Sequence, residues 1–150
     1  MKVLFTGGGT AGHINPALAA AGYLLQKEPD AQILYVGNKG GMEERLVPQA
    51  GFEIQTVHIS GFQRKLTPKN LVRNAQTVVR VFTASAEAKR IIKAFGPDVC
   101  VGTGGYVSGP VIREAAKLGI PCVIHESNAY PGVTTKMLAK SVKTVMLAVP

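Results

Sequence analysis

The chain runs to 150 residues, 46% of them hydrophobic, with seventeen Lys and Arg against nine Asp and Glu for a formal net charge of +8. That length suits one domain with a real core, the apolar content excludes disorder, and two cysteines, Cys100 and Cys122, are too few for a disulfide scaffold or a four-ligand zinc site. The basic excess calls for an anionic partner.

In chain order, short β-branched runs alternate with longer helical patterns, which predicts an α/β domain built on a parallel sheet. Lys2–Thr6 reads as a buried strand, followed by a glycine loop and a helix from about Pro16 to Lys27. Gln32–Val36 is a second strand, Met42–Ala50 a short helix and Glu53–Ile59 a third strand. A loop over Ser60–Pro68 leads into a long helix from about Asn70 to Phe95, stopped by Gly96-Pro97. Asp98–Gly102 is a fourth strand, with a second glycine loop over Gly102–Pro110 and a helix to about Leu118. Ile120–Ile124 is a fifth strand, Pro131–Lys140 a helix and Lys143–Val149 a sixth strand. Residues 3–26 carry no charge, but Gly7-Gly8-Gly9, Thr10, His13, Asn15 and Pro16 interrupt them, so no spanning helix is expected. Val3-Leu4-Phe5 is too short for a signal-peptide core, and a soluble, cytosolic chain with reduced, buried thiols is the expectation.

The polar and glycine-rich sets fall where strands end and helices begin. In an open parallel sheet those ends share one rim, and ligands bind in the crevice beside it. Gly7-Gly8-Gly9-Thr10-Ala11-Gly12 fits G-x-G-x-x-G between a strand and a helix, a turn that brings backbone N–H groups and the positive helix end to a phosphate. A dinucleotide fits poorly, because Gly37-Asn38-Lys39 replaces the acidic residue expected at the second strand's end. No Gly-Lys-Ser/Thr follows for a Walker-type loop. His13 closes the loop at the helix start, where the dipole disfavours imidazolium and keeps a neutral base available.

Gly102-Thr103-Gly104-Gly105-Tyr106-Val107-Ser108-Gly109-Pro110 is a second strand-to-helix glycine loop. Two such loops on one rim suggest a ligand with two anionic or polar ends, such as a diphosphate. His125-Glu126-Ser127-Asn128 ends the fifth strand: the first pair reads as an oriented base or a hydroxyl clamp, and Asn128 as a donor and acceptor for sugar hydroxyls.

These three motifs, with Pro131-Gly132, Lys136, Ile59-Ser60-Gly61 and the 89–98 stretch, resemble the amino-terminal half of the MurG family of peptidoglycan N-acetylglucosaminyltransferases across essentially the whole chain. The resemblance implies a two-domain GT-B glycosyltransferase. Residues 1–150 would be its Rossmann-like, acceptor-binding domain, an open parallel sheet with helices on both faces, and the donor-binding carboxy-terminal domain would be absent from this chain. The implied reaction moves GlcNAc from UDP-GlcNAc to the C4 hydroxyl of the MurNAc sugar in lipid I (undecaprenyl-diphosphate-linked MurNAc-pentapeptide), giving lipid II by inversion, with no cofactor and no required metal. By motif, Thr10, Ala11, Gly12 and Asn128 would touch the donor sugar. Gly8, Gly9, Gly104 and Gly105 would face the diphosphate. Tyr106, Ser108, His125 and Glu126 would line the acceptor side, His13 would be a base or a diphosphate contact, and His13 and Glu126 are the candidate catalytic residues. Ala11 stands where glycine is common in the family, a restriction only if the loop needs positive φ there. Without a second half the chain is expected to fold but not to turn over, whether as an excised domain or as one subunit of a split enzyme.

Residues 64–93 hold eight basic residues against Glu87 alone, interleaved with apolar ones. Arg73 and Arg80 beside Val78, Val79 and Phe82 suit an anionic membrane surface, which predicts peripheral attachment to the cytoplasmic side of the bacterial cell membrane. Nucleic acid is not expected, since no Tyr or Trp interleaves the charges for base stacking. The rival readings are a dinucleotide-binding Rossmann oxidoreductase domain and a non-catalytic, membrane-recruiting subunit of a split glycosyltransferase.

Overall fold

The computed structural model describes residues 1–59 and 68–149, with side chains from 80 onward in the second stretch. The elements in order are β1 (Lys2–Thr6), α1 (Ala11–Lys27), β2 (Gln32–Asn38), α2 (Glu43–Gln49), β3 (Glu53–Val57), α3 (Pro68–Phe95), β4 (Val99–Gly102), α4 (Ser108–Lys117), β5 (Cys122–Glu126), α5 (Val133–Leu138) and β6 (Thr144–Leu147). The strands form one parallel sheet in the order β3-β2-β1-β4-β5-β6. The winding reverses between β1 and β4, where Thr6 pairs with Gly102, so α1 and α4, which follow these two strands, pack on opposite faces of the sheet and the switch point lies at the loops that lead into them.

Helices cover both faces because the central strands alternate two apolar sets. Val3 and Phe5 of β1 meet Ile14, Ala17 and Ala21 of α1 and Val47 of α2. Leu4 points the other way, into a cluster with Ala84, Ala88 and Ile92 of α3 and Val111, Ile112 and Ala115 of α4. Each fully buried Leu, Ile or Val there contributes roughly 1.5–3 kcal/mol from area removed from water. Cys100 and Cys122 are buried register partners on β4 and β5.

Every expected strand and helix with described residues is present, and the boundary differences that shape the site lie at the ends near the crevice. α1 begins at Ala11, five residues before the expected start at Pro16. Thr10 is extended, and its carbonyl accepts the N–H of both His13 (3.1 Å) and Ile14 (3.2 Å), so Ala11-Gly12-His13 form a helical turn instead of a loop. α4 likewise begins at Ser108, inside the expected loop, and tolerates Pro110 because a first-turn residue needs no N–H partner. Pairing of His125 and Glu126 with Met146 and Leu147 carries β5 two residues past its expected end. Apart from Pro68, the expected loop over Ser60–Pro68 lies outside the described residues, as do the side chains of Arg73, Val78 and Val79.

Candidate functional site

The two glycine loops meet backbone to backbone at the switch point. Gly8 N–H donates to Gly104 O at 3.3 Å and Thr103 N–H to Thr6 O at 2.9 Å. The Thr103 hydroxyl donates to His13 O, and the Ser108 hydroxyl to Gly104 O. A Cβ on Gly105 would stand 2.1 Å from Gly8 O, at φ +79°, so only glycine permits this approach. Gly8 and Ser108 both belong to this junction. Gly8 N–H is engaged by Gly104, and Ser108, 1% exposed, turns its hydroxyl inward. Both join the two loops. Ala11 causes no restriction, because it is helical and no non-glycine residue described has positive φ.

The donors facing the crevice come from the start of α1. Its first turn contains no acidic residue, and the Thr10 side chain makes no capping bond. The N–H groups of Gly9, Thr10, Ala11 and Gly12 have no partner among the described residues. Those orphan donors and the positive end of the helix dipole are together suited to an anion. His13 is the third residue of the same helix and is half-buried. Its Nδ1 lies 3.1 Å from Thr103 O. A carbonyl can only accept, so that hydrogen bond places the ring proton on Nδ1 and leaves the Nε2 lone pair available as a base.

Tyr106 lies over Gly9 and is partly exposed, its hydroxyl accepting from Asn38 Nδ2 at 3.4 Å. Beneath the first loop, the Tyr35 hydroxyl donates to Gly7 O at 2.8 Å. Burial, aided by the nearby Glu43 carboxylate, pushes the Tyr35 phenol well above its usual range, so it stays a donor. Glu43 is fully buried behind Gly8, Gly37 and Gly41, between the ends of β1 and β2.

On the other side of the switch point, Glu126 is a buried acceptor with every position used. Asn128 N–H (3.0 Å) and Nδ2 (2.8 Å) donate to Oε1, and Gly132 N–H (2.9 Å) and the Thr135 hydroxyl (2.6 Å) donate to Oε2. Burial alone would raise its pKa, but the hydrogen bonds from Thr135, Gly132 and Asn128 outweigh it and hold the carboxyl at about 2. So satisfied a carboxylate is a weak proton acceptor; its evident work is to fold residues 126–135 into the rim. Asn128 is exposed, and with its backbone N–H and one Nδ2 N–H engaged in this way it keeps its second Nδ2 N–H and its Oδ1 to offer a ligand. His125 lines a small cleft with Gly104, Ser108 and Thr134, and its Nδ1 is buried without a partner among the described residues.

An apolar groove runs from Tyr106 between α3, α4 and α5, lined by Val81, Phe82, Arg113, Val133 and Met137. Phe82 is 73% exposed, and Arg80, two residues earlier on α3, is exposed as well. No described helix is long and apolar enough to cross a membrane.

The three motifs thus converge on one rim, as expected. Asn38, Glu43, Thr103 and Thr135 are the residues that sequence reasoning missed. Asn38 carried a signal, since it sits where an acidic residue was sought. Glu43 carried none, because an acidic residue in a helix's first turn ordinarily reads as a dipole partner.

Comparison with known proteins agrees with this geometry. The chain is 50% identical over 145 residues to the UDP-N-acetylglucosamine–N-acetylmuramyl-(pentapeptide) pyrophosphoryl-undecaprenol N-acetylglucosamine transferase of Lactococcus lactis subsp. cremoris, covering 97% of this chain and 40% of that protein. The Acetivibrio thermocellus protein of the same name is 50% identical over 148 residues, covering 99% and 39%. The chain therefore spans about two fifths of the length of these relatives. The crystal structure of Acinetobacter baumannii MurG superposes with a TM-score of 0.84 at 34% identity, covering 99% of this chain and 42% of that one. These likenesses bear out the resemblance to the amino-terminal half of MurG and the GT-B-type fold. The profile of the glycosyltransferase family 28 N-terminal domain matches residues 3–147, and the chain belongs to that family.

Proposed function

We propose that this chain is the acceptor-binding half of an inverting N-acetylglucosaminyltransferase that converts lipid I to lipid II with UDP-GlcNAc as donor. The observation that carries the reading is the set of unpartnered N–H groups at the start of α1, beside His13 and the second glycine loop. A pyrophosphate bridging a lipid and a sugar matches that pattern of donors, and the relatives' name specifies a pyrophosphoryl-undecaprenol acceptor.

In this reading the diphosphate lies against Gly9, Gly104, Gly105 and the α1 terminus, with Tyr106 and His125 along the acceptor. The MurNAc C4 hydroxyl attacks C1 of GlcNAc, His13 Nε2 takes the hydroxyl proton, and the C1–oxygen bond to UDP breaks with its electron pair leaving on the diphosphate. Thr10, Ala11, Gly12 and Asn128 meet the donor sugar, and Glu126 holds Asn128 in place. The donor-binding half lies in the part of the relatives that this chain does not span. Phe82, Val133 and Met137, with Arg80 nearby, would seat the domain on the anionic cytoplasmic leaflet, bringing the crevice to a lipid-linked substrate.

The test is GlcNAc transfer to a lipid I analogue with and without a supplied carboxy-terminal half. Transfer should need both halves, and activity from this chain alone contradicts the division of labour. Titration of this chain should show binding of the analogue but not of NAD(H), and the reverse result would restore the dinucleotide reading. Binding to anionic vesicles without any response to the analogue would favour the non-catalytic recruiting module.

A further inference from the structure

Glu43 opens α2 with a fully buried carboxylate. Its Oε1 accepts Asn38 N–H at 3.0 Å, while Oε2 has no partner among the described residues. A Cβ on Gly8 would lie 2.1 Å from Oε1, so the carboxylate presses directly on the back of the first glycine loop. Asn38, the last residue of β2, accepts Ile59 N–H through Oδ1 at 3.0 Å and reaches the Tyr106 hydroxyl through Nδ2. Tyr106 in turn covers Gly9, where a Cβ would come within 3.1 Å of its ring. One connected path thus runs from α2 through the end of β2 to both glycine loops. A buried carboxylate is costly to keep, and an apolar side chain would fill the same volume more cheaply.

We propose that Asn38 and Glu43 are positioning residues that set the spacing between Tyr106 and the start of α1, and through it the grip on a diphosphate-linked acceptor. The inference rests on the acceptor-binding reading above and adds residues outside every motif that led to it. Neither side chain touches the ligand; Asn38 acts through Tyr106, and Glu43 through Asn38 and Gly8.

The experiment combines amide hydrogen exchange with titration of a short-chain polyprenyl diphosphate carrying MurNAc-pentapeptide. Gly8 N–H, bonded to Gly104 O, reports loop order without any ligand. In Asn38→Ala its exchange should rise about tenfold with Leu4 and Phe5 unchanged, and the probe should bind about tenfold more weakly, the scale of one lost hydrogen bond. Tyr106→Phe removes the same contact from the other side, so the double variant should be no worse than the poorer single one. Unchanged Gly8 exchange, or additive losses in the double variant, overturns the proposal. If the unaltered chain ignores the probe, the acceptor reading falls while Gly8 exchange still decides the brace. Should Asn38→Ala fail to fold, Tyr106→Phe decides it by the same two measurements.

Discussion

Glu126 offers the sharpest separation between a proton-transfer role and an organising one. Its carboxyl is held at about 2, below the usual 4.5, because the donors from Thr135, Gly132 and Asn128 outweigh the effect of burial. A carboxyl depressed on folding lends stability above its unfolded pKa and loses it as pH falls toward the folded one. Between about pH 5 and pH 2 the unfolded chain binds a proton that the folded chain refuses. A shift of that size corresponds to about 3 kcal/mol at most, and solvent screening at the rim reduces it to about 1–2 kcal/mol, still a measurable part of the 5–15 kcal/mol typical of a domain. In Glu126→Gln the side chain no longer titrates, and an amide group meets either the Gly132 N–H or the Asn128 donors. The variant should lose about 1–3 kcal/mol at pH 7. It should also lack the acid-dependent fall specific to this group. Urea unfolding of both proteins at intervals from pH 7 down to pH 3 measures the two effects together. Parallel stability curves for the two proteins would refute the reasoning, and would return Glu126 to the list of candidate proton acceptors.

Three other outcomes follow from the same geometry. His13→Gln in an enzyme completed by its second half should lower kcat by about 10²–10⁴-fold while leaving KM for the acceptor within a few-fold, as steady-state kinetics with the lipid I analogue would show. Gly105→Ala places a methyl group 2.1 Å from Gly8 O at a positive φ, and thermal unfolding should register a loss of about 2 kcal/mol or more. Arg80→Glu combined with Phe82→Ser should reduce co-sedimentation with anionic vesicles, and added salt should reduce it for the unaltered chain as well; an unchanged bound fraction counts against membrane attachment.

Strand positions and the sharing of one rim were legible because buried parallel strands read as short apolar runs and glycine loops punctuate them. The sequence reading misplaced the starts of α1 and α4, since glycine and proline argue locally for loop. The bifurcated acceptance by Thr10 O and the docking of Thr103 on His13 O supply the helical turn from contacts distant in sequence. The bonds that tie Gly8 and Ser108 into the junction were illegible for a related reason. A motif says which loop approaches a ligand, but not which of its donors another loop has already taken. Glu126 looked like a base because its partners Gly132 and Thr135 become neighbours only when the chain turns back after β5.

The hydrogen bond from Gly8 to Gly104 has a consequence for how the crevice responds to a charged guest. It sutures the two wings of the sheet at the seam where their order reverses, so the lining is already stiff before anything arrives. Little conformational entropy is then surrendered on association, and the discrimination between guests resides in shape and charge more than in the capacity to rearrange.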